Sequence, residues 1–166
     1  MPVSDQGINN DRYMLIPRVL IFVTRGDAVL LIKGAPTKRL WANKYNGVGG
    51  HVERGEDVLS AARRELKEET GLQCDLRLVG TVTVDAGEKI GVGLYVFVGE
   101  LGEGTPRSSA EGALEWLPQS GLAERPLVED VAILLGRVLR AQVGDPPFAA
   151  RSFYDSNGRL ILEFAE

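Results

Sequence analysis

Three glutamates near the middle of the chain have the spacing of a ligand set on one side of a helix. Glu65, Glu68 and Glu69 lie in the segment "RRELKEETG". At positions i, i+3 and i+4 of a helix with 3.6 residues per turn, their side chains share an arc of about 100°. Like charges so placed repel one another, and a bound hard cation would reverse the effect. Oxygen ligands suit Mg²⁺ or Mn²⁺ better than zinc. Taken alone, however, the segment is also typical of a solvated acidic helix face.

Four glycines come just before this helix, in the stretch "NGVGGHVERGE" at residues 46–56. Ordered glycine costs backbone entropy, so such density is typical of left-handed turns or of a backbone that something approaches closely. We expect Gly55 to serve the turn into the helix. We expect Gly49 and Gly50 to leave room for a ligand, since a Cβ at either position would occupy that space.

The spacing around the glutamates resembles the signature of the Nudix hydrolases, which act on nucleoside diphosphates linked to another moiety. The matching positions are Gly50, Glu56, Arg64-Glu65-Leu66, Glu68-Glu69 and Gly71-Leu72. Every specified position of that signature is filled, and the strand order and total length are also similar to those of the family. The resemblance implies a Mg²⁺-dependent pyrophosphohydrolase, with Mn²⁺ as a possible substitute, whose metals lie in a strand–loop–helix unit.

The resemblance also implies roles for individual residues. Glu65 and Glu69 correspond to the first metal ligands, and Glu68 to a third ligand or to the group that positions the attacking water. The backbone carbonyl before the signature, here that of Gly49, would be a further ligand. Glu111 corresponds to a glutamate that completes the metal site or acts as base in several relatives, although it also fits an ordinary loop position. Arg64 would orient the carboxylates, with Glu56 as its partner across the loop.

Within the family, the chain is most similar to the triphosphatases that remove oxidised purine nucleotides such as 8-oxo-dGTP. "KYNGVGGHVERGE" and "FYDSNGRLILEF" carry this resemblance. It implies that Asn46, Glu129 and Asp130 bind the purine edge, for which an amide and a carboxyl offer donors and acceptors. The acidic pair also fits a helix N-terminus favoured by the macrodipole. A tryptophan that stacks on the base in a relative would fall near Leu127, so Trp41 or another residue of the first loop must compensate.

Other substrates and other functions remain open at this stage. The lysines and the arginine in or beside the first loop would contact phosphates or merely be solubilising: Lys33, Lys38 and Arg39. The product of a triphosphate would be a nucleoside monophosphate and pyrophosphate. The alternatives are a Nudix hydrolase of a nucleotide sugar, a dinucleotide or an RNA end, and a non-catalytic module that senses nucleotides.

Bulk properties limit the partners. The 166 residues carry a formal net charge of −4, with 44% hydrophobic and 25% charged residues, which is typical of an ordinary globular protein and argues against general nucleic-acid binding. We expect a small-molecule nucleotide substrate, no membrane, no stable nucleic-acid partner, and a monomer or homodimer. Cys74 is the single cysteine. It favours a reducing compartment, and with the polar N-terminus it predicts a cytoplasmic protein.

The elements that position these residues follow from periodicity and turn signals. Strands are predicted at 19–24, 28–33, 47–53, 76–84, 90–101 and 112–117, and a terminal hairpin over 152–164 turns at Asn157-Gly158. Helices are predicted at 58–70, ended by Gly71, and at 128–141. Strands before and after a central helix indicate an α+β fold, a Nudix-type α/β/α sandwich with a mixed β-sheet. We expect a flexible tail at residues 1–13 and a single domain at 14–166.

Overall fold

The computed structural model describes residues 2–9 and 11–166, and these form a mixed sheet with a helix on each face. The strands are β1 (Met14–Arg25), β2 (Ala28–Gly34), β3 (Tyr45–Asn46), β4 (Val48–His51), β5 (Leu76–Val84), β6 (Ile90–Glu100), β7 (Gly112–Pro118), β8 (Phe148–Tyr154) and β9 (Leu160–Phe164). The helices are α1 (Val58–Thr70) and α2 (Glu129–Val138), with 3₁₀ turns at Val3–Gln6 and Gln119–Glu124. The predicted fold class is confirmed.

The strand order explains why the sheet is mixed. It runs β3-β2-β1-β6-β5-β8-β9, with β4 paired to β1 and β7 paired to β2. β1 with β6 and β5 with β8 are parallel, and the other pairs are antiparallel. β4 therefore lies beside the centre of the sheet, next to the longest strand.

Alternation along β1 separates the two cores. Val19, Ile21 and Val23 face the cluster that contains Leu66 of α1. The side chains between them, of which Phe22 is fully buried, face the cluster that includes α2. Since successive side chains on a strand point to opposite faces, one central strand supplies both layers of the sandwich.

Capping residues fix both ends of α1. The Asp57 carboxylate accepts hydrogen bonds from the Leu59 and Ser60 backbone amides, both at 2.9 Å, which satisfies free donors of the first turn. Gly71 follows with φ 73°, and its amide donates to the Lys67 carbonyl. A left-handed residue at this position favours glycine, as predicted.

Several boundaries differ from the sequence prediction, among them the start of β8 at Phe148 instead of 152. β1 begins at Met14 and runs through Pro17. The Pro17 carbonyl accepts from the Val52 amide on the side away from β6. The N–H that a proline lacks would point to that same side, so Pro17 removes no hydrogen bond between β1 and β6. α2 ends at Val138, earlier than predicted. In the terminal hairpin, Asp155 N donates to Arg159 O, so the turn is longer than the two residues of Asn-Gly.

The segment before β1 contains the 3₁₀ turn at Val3–Gln6. The division into a tail at 1–13 and a domain at 14–166 stays a prediction, and Met1 and Asn10 lie outside the described residues. Within those residues, none of the helices is long and apolar enough to cross a membrane.

Candidate functional site

Arg64 forms hydrogen bonds with carboxylates both before and within α1. Its guanidinium donates to Glu56 at 2.7 and 2.9 Å, to Glu65 at 2.8 Å and to Glu68 at 3.2 Å. It also donates to the His51 backbone carbonyl at 3.0 Å, which fastens the helix to β4. The hydrogen bond from Arg64 holds the pKa of Glu56 at about 2. The expected pairing of Arg64 with Glu56 across the loop is confirmed.

Glu69 lies in a different environment from the other glutamates of the helix. Burial is the largest cause that raises its pKa to about 7, and the charges of Glu65 and Glu111 raise it further. A hydrogen bond with the Gly49 backbone and the charge of Lys38 act in the opposite direction. Glu69 is therefore the carboxyl at which the acidic groups from α1 and from the loop before β7 converge, and their repulsion is only partly compensated.

Glu69, Glu111, Gly49 and Lys38 line a cavity of about 110 Å³, which we call the acidic cleft. Lys38 forms an ion pair with Glu111 across it, and the Lys38 and Glu111 side chains are 38% and 53% exposed. Glu68 lies outside the cleft, with 60% of its side chain exposed. The structure therefore brings together Glu111 and Lys38, both nominated from the sequence, although they lie 73 residues apart.

The two glycines of β4 are required for a reason other than the expected one. A Cβ on Gly49 would collide with the Val19 backbone carbonyl of β1, and a Cβ on Gly50 would collide with the Glu65 carboxylate. The expectation that these glycines leave room for a ligand is wrong, because protein atoms already occupy the space. Gly55 has φ 91°, so its predicted role in the turn into α1 is confirmed.

A second cavity, of about 390 Å³, lies over the α2 face of the sheet, and we call it the sheet cavity. Its floor includes Leu20 and Leu94, and its walls include Trp41, Asn46 and Asp130. It shares Trp41, Asn46, Gly47 and Gly49 with the acidic cleft. The two cavities are thus adjacent, and a ligand that fills both would pass along the Gly-rich strand.

Backbone hydrogen bonds bring Asn46 and Asp130 to this cavity from distant parts of the chain. Tyr45 N donates to Pro126 O at 2.8 Å, and Val128 N donates to Tyr45 O at 3.0 Å. The start of α2 is thereby held beside β3. Burial, the largest cause, raises the pKa of Asp130, and the charge of Glu129 adds to the effect. Asp130 is therefore a carboxyl whose protonated form is favoured by its surroundings.

Not every residue nominated from the sequence lies at these cavities. Glu129 is exposed, and it lines neither of them. Lys33 extends over the Tyr45 ring at 5.6 Å and lines a separate surface depression. Arg39 is exposed and also lines neither. Leu127 is half-buried and packs against the core.

Two residues of the sheet cavity were missed by sequence reasoning. Arg18 of β1 and His51 of β4 both line it, and Arg18 Nε donates to His51 Nε2 at 3.1 Å. A signal existed, because Arg18 alternates with Leu20 on one face of an otherwise apolar strand.

The donor set of the acidic cleft fits a hard divalent cation. Carboxylate oxygens with an uncompensated charge around Glu69 are the ligands that Mg²⁺ prefers. Across residues 2–9 and 11–166, no three acidic, imidazole or thiol groups already converge as a ligand cage. The candidates to hold a cation are Glu65, Glu69 and Glu111, with Glu68 and the Gly49 carbonyl as further oxygen donors.

A larger cavity, of about 760 Å³, lies between the ends of β1, β5, β6 and α2. None of the glutamates of the signature line this cavity. Its size therefore does not make it the site, since the chemistry lies elsewhere.

Comparison with known proteins places this geometry in a family. The family model for the NUDIX domain matches residues 14–135. The chain is 37% identical over 99 residues to an oxidized purine nucleoside triphosphate hydrolase of Danio rerio, an alignment that covers 58% of this chain and 62% of that protein. It is 29% identical over 120 residues to a NAD-capped RNA hydrolase of Pseudomonas aeruginosa, covering 71% of this chain and 41% of that one.

The fold has a counterpart among solved structures. A MutT protein from Bacillus halodurans superposes with a TM-score of 0.75 at 25% identity, covering 90% of this chain and 97% of the other. The chain spans less than two thirds of the length of the curated relatives above. The NUDIX domain match covers most of the sequence, including the whole α1 signature and β4. The chain therefore belongs to the Nudix family.

Proposed function

We propose that this chain hydrolyses an oxidised purine nucleoside triphosphate, such as 8-oxo-dGTP, to the nucleoside monophosphate and pyrophosphate, with Mg²⁺ as cofactor. The observation that carries the proposal is the adjacency of the two cavities. One holds a cluster of carboxyls, and the other holds an amide and a carboxyl over an apolar floor. A nucleotide has the same two parts, an anionic polyphosphate and a flat, polar-edged base.

The acidic cleft would bind the polyphosphate end through the cation. Glu65 and Glu69 are the proposed first ligands, with Glu68, Glu111 and the Gly49 carbonyl completing the set in the proposed scheme. A bound divalent cation supplies charge neutralisation and lowers the pKa of an attacking water. Without a cation, the same carboxylates would repel the phosphates, so activity is expected to depend strictly on the metal.

Besides the cation, protein side chains would orient the ligands, exchange protons and contact the phosphates. Arg64, bonded at once to Glu56, Glu65 and Glu68, holds these carboxylates in fixed orientations. A carboxyl with a pKa of about 7, such as Glu69, changes protonation near neutral pH. Lys38 lies at the cleft with Glu111, so it can move from that ion pair to a phosphate oxygen.

The sheet cavity would hold the base. Asn46 and Asp130 support this assignment because they line one wall together, whereas Glu129 does not. Trp41 lies where both cavities meet, with 47% of the residue exposed and a left-handed φ of 58°. Such a conformation in a bulky residue is strained and is found preferentially at functional sites. We propose that the Trp41 indole stacks on the base, in place of the tryptophan expected near Leu127.

A panel of nucleotides tests the substrate class. It should contain oxidised and normal purine triphosphates, a pyrimidine triphosphate, ADP-ribose, a dinucleoside polyphosphate and an NAD-capped RNA, each with Mg²⁺ and with Mn²⁺. The proposal predicts the highest kcat/KM for the oxidised purine triphosphates. Preference for a capped RNA or for ADP-ribose would replace the substrate class but keep the family chemistry. No turnover of any compound, with tight nucleotide binding, would instead favour the non-catalytic sensing module.

A further inference from the structure

Arg18 stands on the floor of the sheet cavity with most of its hydrogen-bonding capacity unused. It lies opposite His51 on β4 and beside Leu94 on β6. Its Nε donates to His51 Nε2, so the imidazole accepts at that nitrogen and carries its proton on Nδ1. In the part of the chain that the structure describes, the four N–H groups on the two terminal nitrogens of Arg18 have no protein acceptor.

His51 is itself held in place, so the Arg18–His51 pair has a defined position. The His51 carbonyl accepts from Arg64, and the strand pairing of β4 with β1 sets His51 directly across from Arg18. A guanidinium is planar, so a hydrogen bond from Nε also fixes the plane in which the two terminal nitrogens lie. The pair therefore presents a fixed, planar set of donors to the cavity.

The position of the pair indicates which part of a nucleotide it meets. Arg18 and His51 line the sheet cavity and not the acidic cleft. If the phosphates occupy the acidic cleft, as the proposed function requires, the terminal nitrogens of Arg18 are directed toward the nucleobase rather than toward the phosphates. Asn46 and Asp130 line the same cavity, so a base within it would contact Arg18 as well as Asn46 and Asp130.

Resting on the proposed function, we propose that Arg18, positioned by His51, donates to a carbonyl oxygen of an oxopurine base and makes the site select oxopurines over aminopurines. A guanidinium can only donate. 8-Oxoguanine offers carbonyl oxygens at C6 and C8 as acceptors, and donation from arginine to the guanine O6 is part of a common specific contact. The amino group of adenine would instead place donors against donors, which leaves polar groups unpaired.

The test compares kcat/KM for 8-oxo-dGTP with that for dATP in the wild type and in Arg18→Ala. The expected result is that the 8-oxo-dGTP to dATP ratio falls by about tenfold or more, because only the oxopurine loses a bond. His51→Ala should change the ratio in the same direction by less, mainly through KM, since it releases the guanidinium without removing it. Arg159→Ala, an exposed arginine of the terminal hairpin, is the matched control and should leave the ratio unchanged.

Several outcomes would overturn the inference. Unchanged kcat/KM on both substrates in folded Arg18→Ala would do so. Equal losses on both substrates would too, since they would indicate a contact to the sugar or phosphates. Calorimetric binding of 8-oxo-dGMP and dAMP in EDTA separates this inference from the proposed function, because it needs no turnover. If the wild type hydrolyses no triphosphate but Arg18→Ala loses selectivity between the monophosphates, the proposed function fails and the Arg18 assignment stands.

Discussion

The acidic cleft and the sheet cavity are neighbours that share four residues, yet they are assembled in opposite ways. The proposed cation ligands come mostly from β4 and α1, which are consecutive in the sequence, and Glu111 is added from the loop before β7. The sheet cavity takes its residues from β1, the first loop, β3, β4, β5, β6 and α2. A local motif can therefore supply most of the proposed cation ligands, while the cavity proposed to hold the base depends on long-range packing.

The two cavities also differ in charge compensation. At Glu69 of the acidic cleft, burial and then the charges of Glu65 and Glu111 raise the pKa to about 7. In the sheet cavity, burial raises the pKa of Asp130. A bound cation would relieve the charge repulsion at Glu69, and a hydrogen-bond partner would offset the burial of Asp130. Variants of the acidic cleft should therefore lose activity on every substrate, and variants of the sheet cavity should change the ranking of substrates.

The largest effect is expected from Glu69→Gln, with Glu65→Gln close behind. Each removes a proposed metal-binding charge and should lower kcat/KM by at least about 100-fold on every substrate, because the metal contributes several kcal/mol to the transition state. Folding should be retained, since repulsion on α1 is reduced. Steady-state kinetics at saturating Mg²⁺, with circular dichroism as the folding control, measure this. Near-normal turnover would refute the ligand assignment.

A smaller loss is expected from Gly50→Ala, which sharpens the comparison by displacing a carboxylate without removing it. The new Cβ would collide with the Glu65 carboxylate. A displacement of this kind should lower kcat by about 10- to 100-fold. The matched control is Gly102→Ala, because nothing lies within 4 Å of the added Cβ there. Equal activity of the two variants would show that the position of Glu65 is not critical.

Asp130→Asn should change the ranking of substrates instead of the general rate. It alters the hydrogen-bonding groups offered to the base and leaves the acidic cleft unchanged. The ratio of kcat/KM for an oxidised guanine triphosphate over a pyrimidine triphosphate should fall by about tenfold. An unchanged ratio, with slightly lower stability, would support the interpretation of Asp130 as a helix N-terminal residue.

The smallest effect concerns stability and pH. The folded-state pKa of Glu69 is raised from 4.5 to about 7, so between these values the folded protein binds more protons than the unfolded one. The free energy of unfolding of the metal-free protein should therefore fall as pH rises from 4.5 to 7. Allowing for solvent screening of this partly exposed group, the loss is about 1 kcal/mol, or about 2–4 °C in Tm.

Thermal denaturation in EDTA at pH 5 and pH 8 measures this, with Glu69→Gln as the comparison. The variant should lose less stability over that interval, and Mg²⁺ at pH 8 should stabilise the wild type more than the variant. Asp130 contributes with the same sign in both proteins, and the low pKa of Glu56 acts only at more acidic pH. The same pH dependence in both proteins would argue against an uncompensated Glu69.

Local signals predicted the fold and the acidic cleft well. The limits of α1 follow from Gly71 and the periodicity before it. The short gap between the strands predicted at 19–24 and 28–33 contains the two-residue turn at Gly26-Asp27. The pairing of Arg64 with Glu56 was accessible because both residues lie in one short motif. Contacts within about 20 residues can be inferred once the motif is recognised.

Contacts between distant segments could not be inferred in the same way. The role of Gly49 depends on the Val19 carbonyl, which lies on another strand. Arg18 and His51 meet only because β4 pairs with β1 in one register, and a shift of one residue would place them on opposite faces. Glu129 and Asp130 are adjacent in sequence, but only Asp130 faces the cavity, because a helix separates neighbouring side chains by about 100°.

Product analysis of a single reaction tests the central claim most directly. The protein is incubated with 8-oxo-dGTP and Mg²⁺, with Glu69→Gln in parallel, and nucleotides and inorganic phosphates are separated by chromatography. Equal amounts of 8-oxo-dGMP and pyrophosphate are expected from the wild type, and almost none from the variant. Release of orthophosphate and 8-oxo-dGDP, or equal turnover by Glu69→Gln, would contradict it.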